Sequence, residues 1–129
     1  MIEPTWLRQD VILAVHQKTL REQGGLPGIR DMDMLESALA RPMNTFQYAD
    51  EPNLYELAAA YGIGIAKNHP FKDGNNRVAF YASVGFLRLN GLFLNALEAE
   101  AAVTFLDLAA GNISEGELAV WFRQHTVES

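Results

Sequence analysis

Two segments of this chain are apolar nearly all the way round. Leu54, Leu57, Ala58, Ala60, Tyr61, Ile63 and Ile65 form the first, and Val78, Ala79, Phe80, Ala82, Val84, Phe86, Leu87 and Leu89 the second. Helices without a polar face belong inside a domain, so these two must lie at its centre. The nine residues that join them carry an imidazole, a carboxylate, a guanidinium and amides, a set that is costly to place between buried helices. Any fold for this chain has to bury both segments and bring that polar loop to a surface.

The rest of the chain is read around that pair. Apolar spacing is helical almost throughout, with no clear alternating strand pattern. A first helix is expected over about Leu7 to Glu22, ended by Gly24-Gly25. Asp31 is placed to cap a second helix that stops near Ala40, because Pro42 disfavours its continuation. Met43 to Glu51 is the least helical stretch. It is expected to form an extended flap or short hairpin that includes Met43, Asn44, Thr45, Phe46, Gln47 and Tyr48. The central helices run over about Asn53 to Lys67 and Asn75 to Asn90. Asn95 with Glu98, and Ser114 with Glu117, have the spacing of capping boxes for two final helices. The expected fold is all-α: one compact domain over residues 1–129, a bundle of about six helices.

Composition narrows the function classes. The chain has 129 residues, no cysteine, and ten Lys and Arg against sixteen Asp and Glu, for a net charge of −6. Thiolate metal sites and disulfides are therefore excluded. An acidic surface does not suit tracking a phosphate backbone, so nucleic acid is not an expected partner. No apolar run is long enough to span a membrane, no signal peptide is apparent, and the cytoplasm is the expected location. His16, His69 and His125 are too far apart in sequence for a zinc motif, and no Walker loop is present. His16 and His125 are expected to face solvent or bond locally, and Trp6 and Trp121 to pack at the ends of the bundle.

The loop itself, His69-Pro70-Phe71-Lys72-Asp73-Gly74-Asn75-Asn76-Arg77, leads into a helix N-terminus. Free backbone N–H groups and the helix dipole favour an anion there. Gly74 lets a ligand approach closely. Asn75 and Asn76 offer caps or phosphate contacts, and Arg77 a planar fork. Asp73 is a hard oxygen ligand suited to magnesium. His69 can take a proton near neutral pH. Together they are the parts of a nucleotide triphosphate site with a base beside it.

This nonapeptide resembles the signature of the Fic/Doc family, H-x-F-x-(D/E/N)-(A/G)-N-(G/K)-R, at His69, Phe71, Asp73, Gly74, Asn75 and Arg77. Gly24-Gly25-Leu26-Pro27-Gly28, the short length and Arg88-x-Asn90-Gly91 are similar to the Doc branch, the "death on curing" toxins. The resemblance spans about Arg8 to Phe122. It implies that His69 is the general base, Phe71 the loop's anchor and Asp73 the magnesium ligand. Gly74, Asn75 and Arg77, with Asn76 and Lys72 or Lys67 at the rim, would receive ATP phosphates. Residues 43–50 would be the flap that docks the target. It also implies a phosphate transfer to a threonine of elongation factor Tu, as in Doc, with an antitoxin acting in trans. AMP transfer, as in typical Fic enzymes, is the alternative, and a member that only binds is a third. Phe80 stands where AMP-transferring relatives carry a second arginine, which favours the kinase. Asn76 stands where Fic members have Gly and Doc has Lys. No (S/T)-x-x-x-E-(G/N) inhibitory helix is found: Thr19 is followed by Gln23, and Ser114 by Leu118.

Overall fold

The computed structural model describes residues 1–128. It contains six helices: α1 (Gln9–Gln23), α2 (Met32–Tyr48), α3 (Leu54–Asn68), α4 (Asn75–Leu89), α5 (Glu98–Ala110) and α6 (Glu115–His125). Two short strands, β1 (Leu92–Leu94) and β2 (Thr126–Glu128), complete it. As expected, α3 is central and packs against α2, α4, α5 and α6. Nine of its residues are buried, from Leu57 to Ala66. Its partner α4 buries Val78, Ala79, Ala82, Phe86 and Leu87 but leaves Leu89 exposed.

Several helix ends follow the sequence chemistry. The Asp31 side chain accepts a hydrogen bond from the Met34 N–H (3.1 Å), and Asn53 does the same for Glu56 (2.9 Å). Ser114 and Glu117 form a complete capping box, with reciprocal bonds of 3.0 and 3.1 Å. The expected box at Asn95 and Glu98 does not form. The Asn95 N–H instead donates to the His125 carbonyl at 2.6 Å, extending the antiparallel pairing of β1 with β2. This helix therefore starts after Leu97, without a side-chain cap. The two strands escape a periodicity reading because each has only three residues and each pairs with a segment distant in sequence.

The flap expected at Met43 to Glu51 is also corrected. Residues up to Tyr48 are the last turns of α2, which runs straight through Pro42. A proline inside a helix removes one hydrogen bond and costs about 3 kcal/mol. Burial offsets this here. Leu35, Ala38, Pro42 and Phe46 continue one apolar face beyond the proline, and Phe46 meets Trp6 edge-on at 5.8 Å. Close contact with α3 adds to this: a Cβ on Gly64 would lie 3.2 Å from the Ala38 carbonyl oxygen. Tyr48, by contrast, is exposed.

The crossing of α3 and α4 is tight at Gly62. The Ser83 hydroxyl donates to the Ala58 carbonyl at 2.7 Å, and a Cβ on Gly62 would lie 2.8 Å from that hydroxyl oxygen. Gly62→Ala is expected to destabilise the protein by about 1–3 kcal/mol. Gly85→Ala should stabilise it by about 0.5–1 kcal/mol, since helix propensity improves. A Cβ there would make only an ordinary contact, 3.9 Å from Leu7 Cδ2. Urea unfolding of the two variants checks this, and equal effects would show that the α3–α4 packing is not this tight. Next to Gly62, burial pushes the Tyr61 hydroxyl up to about 12, opposed by its hydrogen bond from the Leu7 N–H. Tyr61 is therefore a neutral acceptor that ties the chain before α1 to the core.

Candidate active site at the start of helix α4

The loop from His69 to Gly74 is held from three sides. From below, Phe71 is buried in the core, 1% exposed. From the front, the chain before α2 runs antiparallel to it. Arg30 and Asp31 N–H groups donate to the Pro70 carbonyl (2.7 and 3.1 Å), and the Lys72 N–H donates to the Gly28 carbonyl (3.1 Å). The Arg30 side chain donates to the His69 and Asn68 carbonyls at 2.6 and 2.8 Å. It thus satisfies free carbonyls at the end of α3, where a cation is favoured. From within, Asn75 is buried and spans the loop. Its Oδ1 accepts from the Phe71 N–H and its Nδ2 donates to the Phe71 carbonyl, both at 2.9 Å. Nδ2 also lies 3.4 Å from His69 Nδ1, a long contact that steers the ring.

His69 has φ 48° and ψ 56°, the left-handed region, and is the only non-glycine among the described residues with a positive φ. That conformation is disfavoured for a residue with a Cβ. Here it reverses the chain between α3 and the loop and leaves the imidazole exposed at the rim of a cavity. Gly74, with φ 79°, caps α4 without any side chain. The first N–H groups of α4 are therefore free to meet a ligand.

The cavity has a volume of about 770 Å³, within the range of small-molecule sites. His69, Lys72, Asp73, Gly74, Asn75, Asn76 and Arg77 line one side of it. The structure thus brings together every loop residue assigned to the site from sequence. Lys67 does not line it and ends beside Gly111. Met43 to Tyr48 do not line it either, so the flap assignment has no counterpart at this cavity. The opposite wall is apolar: Phe80 and Tyr81 of α4, and Ala101, Ala102, Phe105, Leu106 and Ala109 of α5, with Glu98 at its edge. Sequence reasoning missed the α5 wall, since nothing local distinguishes it from core.

Asp73 is exposed at the cavity mouth. Each of its carboxylate oxygens accepts one backbone N–H, Oδ1 from Gly74 (3.1 Å) and Oδ2 from Leu26 (3.2 Å). A Cβ on Gly25 would lie 3.0 Å from Oδ2, so the glycine pair before Leu26 makes room for this carboxylate. Each oxygen keeps a further lone pair. Among the described residues no three His, Asp or Glu side chains cluster to hold a metal. A cation here would have one protein carboxylate and would need phosphate and water for its other ligands, as magnesium commonly does.

His16 also departs from expectation. Expected to face solvent or to bond locally, it does neither: it is 4% exposed and its partner lies 57 residues away. Its ring stacks on Phe71 with centroids 3.9 Å apart, and Nε2 lies 2.9 Å from the Asp73 carbonyl. His125 Nδ1 bonds locally, to the Trp121 carbonyl, as expected, while its Nε2 lies 3.0 Å from a Glu100 carboxylate oxygen on α5.

Fold and site together define a helical domain that turns a helix N-terminus, two cations, a carboxylate and a histidine toward one half-apolar cavity. The Fic/DOC family model matches residues 6–87, and the chain belongs to that family. It is 31% identical over 113 residues to "Protein kinase doc" of Escherichia phage P1, covering 88% of this chain and 89% of that protein. It is 42% identical over 74 residues to "Toxin Doc" of Mycolicibacterium smegmatis, covering 57% of each. No helix is long and apolar enough to cross a membrane among the described residues.

Proposed function

We infer that this chain is a Doc-like toxin that transfers the terminal phosphate of ATP to a hydroxyl of a target protein, a threonine of elongation factor Tu. The observation that carries this is the cavity. A histidine, a carboxylate, two cations and free helix N–H groups lie on one side, and an apolar wall on the other. Likeness to a protein kinase along almost the whole chain supports it. Phe80 supports phosphate rather than AMP transfer, because that wall position carries no second guanidinium.

His69 takes the proton of the target hydroxyl as its oxygen attacks the terminal phosphorus in line. The P–O bond to ADP breaks, and charge gathers on the equatorial oxygens and the leaving group. The N–H groups of the first turn of α4, Arg77 and Lys72 face that charge without rearrangement. Asn76 contributes a neutral donor to the same side. The apolar wall of Phe80, Tyr81 and Phe105 holds the base. Asp73 would hold magnesium, which neutralises phosphate charge when bound. The toxin acts in the cytoplasm, where it stops translation, and an antitoxin bound in trans restrains it.

Incubation with elongation factor Tu, ATP and magnesium, followed by intact mass spectrometry, tests this. The expected gain on the factor is one phosphate, about 80 Da. A gain of about 329 Da would instead assign AMP transfer. No gain together with no ATP binding would overturn the enzymatic reading.

A further inference from the structure

We propose that His16 is a positioning residue for Asp73, acting through the peptide plane between Asp73 and Gly74. This rests on the reading of Asp73 as the group that meets the nucleotide's cation. The Asp73 carbonyl can only accept, so the 2.9 Å contact requires a hydrogen on His16 Nε2. In a trans peptide the C=O and N–H groups point to opposite sides. The His16 grip on the carbonyl therefore turns the Gly74 N–H away from α1. There it donates to Asp73 Oδ1 at 3.1 Å and holds the carboxylate at the cavity mouth.

The rest of the His16 environment shows why a histidine fits and an aliphatic residue does not. Its ring lies nearly parallel to Phe71, with an interplanar angle of 16°. It is the ring edge that meets the turn: a Cβ on Gly74 would lie 3.8 Å from His16 Cδ2 and 3.9 Å from Nε2. One side chain thus packs on the loop's buried anchor and donates to the residue two positions further on. The Asp73–Gly74 peptide is the joint between an irregular loop and the left-handed cap of α4. Without a donor on its carbonyl, this plane can rotate and take the Oδ1 bond with it.

Two variants separate the donor from the packing. His16→Phe keeps the stacked ring and loses the donor. His16→Gln keeps a donor near the Nε2 position and loses the ring. The first readout is the Gly74 amide in the 1H–15N spectrum of the free protein, where no nucleotide is needed. The second is the magnesium concentration needed for ATP binding. The expected result is a displaced Gly74 amide and a magnesium requirement raised at least about tenfold in His16→Phe, with both largely restored in His16→Gln. Equal loss in both variants, or no change in either, would overturn the proposal. If His16→Phe does not fold, the wild-type protein decides. Its His16 ring should show the Nε2–H tautomer with a slowly exchanging proton, and the other tautomer would refute the bond. If the wild type fails to bind ATP, the function proposed above fails, while the free-protein spectra still decide the role of His16.

Discussion

His69→Ala is expected to cut phosphate transfer by about 10²- to 10⁴-fold, the range for loss of a general base. The fold should survive, because the ring is exposed and its one hydrogen bond among the described residues is the long one to Asn75. The backbone at this position sharpens the test. With φ at 48°, His69 holds a conformation that glycine adopts freely. His69→Gly should therefore be as inactive as His69→Ala but more stable, by about 1 kcal/mol. A structural histidine would behave the other way, with stability and activity falling together. Transfer rates and urea midpoints of the two variants decide it. If His69→Ala kept more than a tenth of the wild-type rate, His69 would not be the base.

The strain at His69 shows which features of the site were legible in the sequence. The nonapeptide could be read because its chemistry is local: a helix end, a glycine cap, and polar side chains that meet at one cavity, all within nine residues. The central position of α3 was legible for the same reason, since an all-apolar circumference has one physical solution. What was lost depends on distant partners. His16 lies 57 residues from Asp73 in sequence, and its helix pattern does not distinguish a buried donor from a surface histidine. The α5 wall of the cavity reads as ordinary core. Pro42 reads as a stop, because the burial that carries α2 past it comes from Trp6 and from Gly64 on another helix. Asn95 reads as a cap, because its backbone partner, His125, is at the far end of the chain.

Arg77 carries the second large effect, and its placement predicts the sign of two measurements. It stands in the first turn of α4, where the positive end of the helix dipole disfavours a cation, and that turn holds no acidic residue. None of the three Lys or Arg ion pairs among the described residues includes it, although the chain has an excess of acidic groups. An unpaired guanidinium at the wrong end of a helix lowers stability unless an anion arrives. Arg77→Ala is therefore expected to leave the unfolding free energy unchanged or raise it by about 0.3–1 kcal/mol. Transfer should fall by about 10²- to 10³-fold, as when a preorganised charge-stabilising donor is removed. Arg77→Lys should recover part of this, since it restores the charge but not the planar fork. Inorganic phosphate gives a readout free of catalysis. It should raise the melting temperature of the wild type, because an anion that binds only the folded state stabilises it. In Arg77→Ala that rise should be largely lost. If Arg77→Ala were destabilised and still gained as much from phosphate as the wild type, Arg77 would be a packing residue. The anion site would then consist of the α4 backbone and Lys72 alone.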